Sequence, residues 1–169
     1  MSRTVVLASI ICLLIVLAGP ATSVKGASPS LAGSWQLTFV PFTPPIPAIP
    51  IAGLATFISE GTVIETDASQ VVPVPTPAGD ATIYGTAAHG IWQLSPAVPY
   101  LFVQFISVVA NANGSLYGKT TTTMTIGLNA AGTQLRGSYT SQLADPSGNV
   151  LRTTTGTVTG QLIPHPKLP

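Results

Sequence analysis

Four short segments fix most of what this chain can become. Glu60-Gly61, Asn113-Gly114, Asn129 to Gly132 and Pro146 to Gly148 each set a glycine beside turn-forming residues. A tight hairpin needs a positive φ that only glycine adopts without a Cβ clash. Strands joined by such turns must be antiparallel neighbours. Between the turns, β-branched and aromatic residues come in short runs with no helical period, so the chain reads as all-β. Eight runs emerge: Ser34 to Val40, Ala52 to Ser59, Thr62 to Thr66, Ala81 to Leu94, Tyr100 to Asn111, Ser115 to Leu128, Gln134 to Ala144 and Val150 to Ile163.

A meander of that many antiparallel strands leaves two bare edges unless it closes. The expected fold is therefore a single eight-stranded antiparallel up-and-down β-barrel, with an open sandwich as the alternative. A length of 169 residues suits one such core and not two.

Two connections depart from the short-turn pattern. Pro41 to Pro50 contains Pro44-Pro45-Ile46-Pro47, and Ala68 to Asp80 contains Pro73, Pro75 and Pro77. Proline fixes φ and offers no donor to a ladder, so both segments are expected to be extended and stiff. Following the first and third runs, they leave the same end of the barrel, together with the turns at Gly114 and Gly148. The turns at Gly61, Ser95 to Pro99 and Gly132 occupy the other end. The asymmetry is that of a cup with a lidded mouth, or of a barrel with rigid spacers at one end.

The N-terminus has its own logic. Val5 to Leu17 is an apolar run preceded by Arg3 and followed by Gly19, Pro20 and small residues, the order of a secretory signal. It is short for a bilayer span, the alternative being an uncleaved anchor. Residues 1–26 are read as signal peptide, with cleavage after Ser23 or Gly26, and residues 27–169 as the barrel domain, secreted or periplasmic. The sole cysteine, Cys12, falls inside the apolar run. The exported part would then hold no thiol, which excludes disulfides, thiolate catalysis and cysteine-based metal sites. Charged residues make up 7% of the chain against roughly 25% in average domains. The net charge of +1 includes Arg3 and Lys25, so nucleic-acid binding lacks its electrostatic driving force.

Alternation along the last four runs proposes an inward set. It comprises Phe102, Gln104, Ile106 and Val108; then Thr120, Thr122, Met124, Ile126 and Leu128; then Leu135, Gly137, Tyr139, Ser141 and Leu143; and finally Arg152, Thr154, Val158 and Leu162. Mainly apolar with scattered hydroxyls and amides, it suits a pocket for a small hydrophobic molecule, or a filled interior. His89 and His165 are too far apart in the chain, and too poor in ligand spacing, for a metal site. The acids Glu60, Glu65, Asp67, Asp80 and Asp145 fall mostly in or beside turns. No nucleophile elbow or phosphate loop occurs, and no cofactor is expected. If catalysis occurs, His89 with Tyr139 or Glu65 is the first combination to suspect.

Leu31-Ala32-Gly33-Ser34-Trp35 resembles the Gly-x-Trp signature of lipocalins and their calycin relatives. The resemblance implies that Trp35 plugs the closed end of the barrel. The candidate ligand-binding residues are Trp35, His89, Phe102, Gln104, Met124, Tyr139 and Arg152. The expected function is an exported barrel that binds a small hydrophobic molecule. A cofactor-free barrel cyclase or isomerase, of the allene oxide cyclase type in architecture, and a ligand-free envelope-associated structural protein are the alternatives.

Overall fold

A computed structural model describes residues 30–42, 49–76, 79–95 and 99–164, so the apolar N-terminal run and its cleavage sites lie outside the described residues, as does His165. All four hairpin glycines take the positive φ expected of them: +90° at Gly61, +81° at Gly114, +66° at Gly132 and +90° at Gly148. Each donates its N–H to the carbonyl three residues back, Ile58, Asn111, Asn129 and Asp145 respectively. A turn followed by a left-handed glycine is the geometry that re-enters an antiparallel ladder with the right twist.

The strands are β1 (Gly33–Pro41), β2 (Ile51–Phe57), β3 (Thr62–Asp67), β4 (Val71–Thr76), β5 (Gly79–Gly85), β6 (Ala88–Leu94), β7 (Leu101–Asn111), β8 (Leu116–Leu128), β9 (Gln134–Ala144) and β10 (Val150–Leu162). A 3-10 turn, Ala68–Gln70, separates β3 from β4. Eight strands close into an antiparallel barrel in the order β1-β2-β3-β6-β7-β8-β9-β10, with β10 returning to β1. Closure is the step that removes the sheet edges.

Two expectations are corrected. The run 81–94 is two strands, because β5 pairs with β7 from Ile83↔Asn111 to Gly85↔Val109 and β6 pairs with it from His89↔Ile106 to Leu94↔Leu101. At the break, Thr86 accepts the Val108 N–H on its Oγ1 and donates its own N–H to the Val108 carbonyl, so the ladder is bridged. The connection 68–80 is not a bare spacer either: Val71–Thr76 is a strand paired with β5 alone. Its prolines, Pro73 and Pro75, are two residues apart. Their missing donors therefore fall on one side, which an edge strand can leave unpaired.

Both proline-containing connections leave the same pole, since β1 and β3 end there and β4–β5 extends from it. At the tight-turn pole the core is apolar and dense. Leu31, Trp35, Phe57, Val63, Leu101, Ile126 and Leu135 are buried there, and the Trp35 Nε1–H donates to the Leu31 carbonyl at 2.9 Å. Trp92 makes a parallel bond to the Ile58 carbonyl, also at 2.9 Å. Trp35 is fully buried at this end.

Candidate functional site

Toward the long-loop pole the interior changes character. Phe39, Val103, Phe105 and Met124 still supply apolar surface, but Glu65, Thr122 and Tyr139 are buried among them. Thr122 and Ser141 satisfy each other at 3.0 Å. Glu65 and Tyr139 do not find such partners: Glu65 Oε1 and the Tyr139 hydroxyl are buried with no hydrogen-bond partner among the described residues. They stand on β3 and β9, which are opposite staves of the barrel.

The missing side chain at Gly53 lets its neighbours close in. A Cβ at Gly53 would lie 3.1 Å from Glu65 Oε1, 3.2 Å from the Phe39 ring and 3.3 Å from the Asp67 Cβ, so three side chains gather at the surface that Gly53 leaves free. The Phe39 ring in turn meets the Tyr139 ring edge-on at 5.2 Å. Contact thus runs from Glu65 past Gly53 and Phe39 to Tyr139. Asp67, half-buried, is held by the Ser69 N–H, which donates to its Oδ1 at 2.7 Å.

The electrostatics follow from burial. Desolvation, and then the neighbouring Asp67 carboxylate, push the Glu65 carboxyl up to about 8, so it keeps its proton at neutral pH. Burial and Asp67 also raise Tyr139, and Arg152 draws it partly back. A neutral carboxyl and a phenol can donate or accept hydrogen bonds, and either can exchange a proton with a guest.

Of the residues proposed from sequence, Trp35 is buried at the tight-turn pole and Met124 is buried between Val103 and Tyr139 in register. Tyr139 belongs to the polar layer, and Arg152 is exposed near the long-loop end. Phe102 and Gln104 are corrected. They point outward with Ile106 and Val108, while Leu101, Val103, Phe105 and Val109 face in. Cross-strand pairing sets this phase, because Val103 sits opposite Met124 and Phe105 opposite Thr122. His89 is also outside, exposed and flanked in register by Ile64 and Ile106, so it cannot join Tyr139 or Glu65 in the interior. Glu65, suspected from the sequence beside His89, lies within β3 and faces the interior. Its two-residue spacing from buried Val63 was the available signal, obscured by the equally apolar Ile64 between them.

An outer groove of about 400 Å³ crosses β1, β10 and β9, lined by Gln36, Thr38, Gln134, Arg136, Thr159 and Gln161. Its polar side chains face water and none is a buried group lacking a partner. Comparison of the chain with protein-family models, with curated proteins and with solved structures finds no match. The residues of the interior therefore carry the functional reading.

Proposed function

We propose that this chain is an exported binding protein that holds a small amphipathic molecule inside its barrel. The apolar part of that molecule lies among Phe39, Val103, Phe105 and Met124, and its polar end meets Glu65 and Tyr139. One observation carries the reading: two buried polar atoms on opposite staves, in a mainly apolar interior, lack partners among the described residues. A buried unsatisfied group costs about 1–3 kcal/mol, and native interiors keep few of them without a ligand or ordered water to supply the missing bond. A barrel serving only as a scaffold gains nothing from an acid at position 65, where leucine or methionine would fill the same space.

Export is supported by the apolar run Val5 to Leu17 and its small-residue sequel. The binding mode is the one that the lipocalin resemblance of Gly33-Ser34-Trp35 implies. A catalytic alternative draws support from the same pair, since a carboxyl near 8 is well matched to proton transfer at neutral pH. Native mass spectrometry of protein from its own source tests the proposal, the expected result being a retained small molecule that is lost in the Glu65→Gln, Tyr139→Phe double variant. An empty barrel that takes up no amphiphile would overturn it. Steady conversion of the retained molecule, abolished by Glu65→Gln, would favour the enzyme.

A further inference from the structure

Among the described residues, the ionisable groups at the interior layer are all acidic. Glu65 and Tyr139 are buried there with Asp67 beside them, whereas Lys119, Arg136 and His89 are exposed on the outside of the wall. We infer that the guest is an organic cation, an amine with an apolar body, whose ammonium group lies against Glu65 and Asp67 beside the Phe39 and Tyr139 rings. The inference rests on the interior-binding reading above and narrows it to one chemical class.

Three features converge on a cation. The unpartnered Glu65 Oε1 is an acceptor that becomes strong only when the carboxyl ionises, and a buried carboxylate is tolerated when an opposite charge accompanies it. Asp67, fixed by Ser69, adds a second negative centre that repels a fatty acid or any other anionic guest. The Phe39 and Tyr139 rings offer π surface to an ammonium, which a neutral or anionic head group does not exploit.

The surrounding elements do not cancel this field. Inward residues of β1 and β2 around the layer are Leu37, Phe39, Gly53 and Ala55, and those of β7 and β8 are Val103, Phe105, Thr122 and Met124, none titratable. From β6, Ala88 faces in and His89 faces out. From β9 comes Tyr139 itself, and from β10 the exposed Arg152, whose effect on Tyr139 is smaller than that of Asp67. When the ammonium seats, the Glu65 proton leaves for solvent and the amine keeps its own, so the charge that enters is matched by the one Glu65 acquires, and the Asp67 carboxylate stays as the second negative centre.

Calorimetric titration of the folded protein at neutral pH with decylamine, decanol and decanoate, in two buffers of different ionisation enthalpy, tests the inference. Decylamine is expected to bind at least about tenfold more tightly than the other two and to release roughly one proton. Glu65→Gln should abolish the proton release and weaken the amine about tenfold to a hundredfold, and Asp67→Asn should weaken it without abolishing the release. Decanol binding as tightly as decylamine with no proton released, or decanoate preferred, would overturn the cation while leaving interior binding intact. Binding of none of the three, with the Met124 methyl resonance unmoved, would overturn the interior-binding reading as well.

Discussion

The ring of Tyr139 meets the ring of Phe39 edge-on, with centroids 5.2 Å apart and planes at 83°. It also lies close to the bare backbone of Gly156, where an added Cβ would stand 2.6 Å from Tyr139 Cε1. Strands β1, β9 and β10 thus converge on one aromatic contact, which holds the phenol hydroxyl in the polar layer.

Gly156→Ala is expected to destabilise the barrel by about 1–3 kcal/mol, the usual cost of overpacking. The new methyl would run into the Val40 carbonyl as well as the Tyr139 ring, and a backbone carbonyl in a ladder cannot rotate away. Urea unfolding measures the loss. Unchanged stability would mean that the wall yields there and that Tyr139 is not fixed by it.

Tyr139→Phe should leave the unliganded protein as stable as before, or up to about 1 kcal/mol more stable, because the hydroxyl removed had no partner. Affinity for an interior ligand should fall in the same variant. Thermal unfolding with and without bound amphiphile separates the two effects. A large loss of stability without ligand would reveal a partner for that hydroxyl.

The Glu65 carboxyl gives stability a pH slope. Its proton is held to about 8 in the folded chain against 4.5 as the reference value. Between those limits the folded state binds more protons than the unfolded one. The contribution is therefore complete below the lower limit, declines as pH rises through the upper one, and then levels off. The span is on the order of a few kcal/mol. Glu65→Gln should flatten the slope and be more stable than the parent at alkaline pH, as read from unfolding midpoints across the range. A parent protein with no such slope would place Glu65 in contact with water.

The phase of β7 predicts opposite costs for neighbouring aromatics. Phe105→Ala should cost about 3–5 kcal/mol as a buried aromatic. Phe102→Ala, at a position 43% exposed, should cost about 1 kcal/mol or less. Chemical denaturation of the two variants decides the matter, and a reversed order would slide the strand by one residue and turn Phe102 and Gln104 inward.

Much of the architecture was legible from punctuation. The glycines at 61, 114, 132 and 148 announced their own backbone conformation, and from them followed antiparallel neighbours, a closed meander and a common pole for the two proline-containing connections. The site was less legible. On Leu101–Asn111, Leu101, Val103 and Phe105 compete with Phe102, Ile106 and Val108 for the core, and a period of two gives the alternation without its phase. On Thr62–Asp67 the same ambiguity, Val63 against Ile64, left open whether Glu65 faces the interior with Val63.

The sequence by itself determined where the chain must turn, because a left-handed glycine is a local demand that no distant contact can replace. It determined as well that Trp35 would stand at the head of the first strand, at the end where the tight turns gather. Only the tertiary structure decided which face of each two-sided apolar strand looks inward, since that depends on the partner across the ladder: Met124 opposite Val103, Thr122 opposite Phe105 and Ala55 opposite Glu65. The polar layer exists because those pairings carry an acid and a phenol to opposite walls of one closed interior, a relation that no run of neighbouring residues encodes.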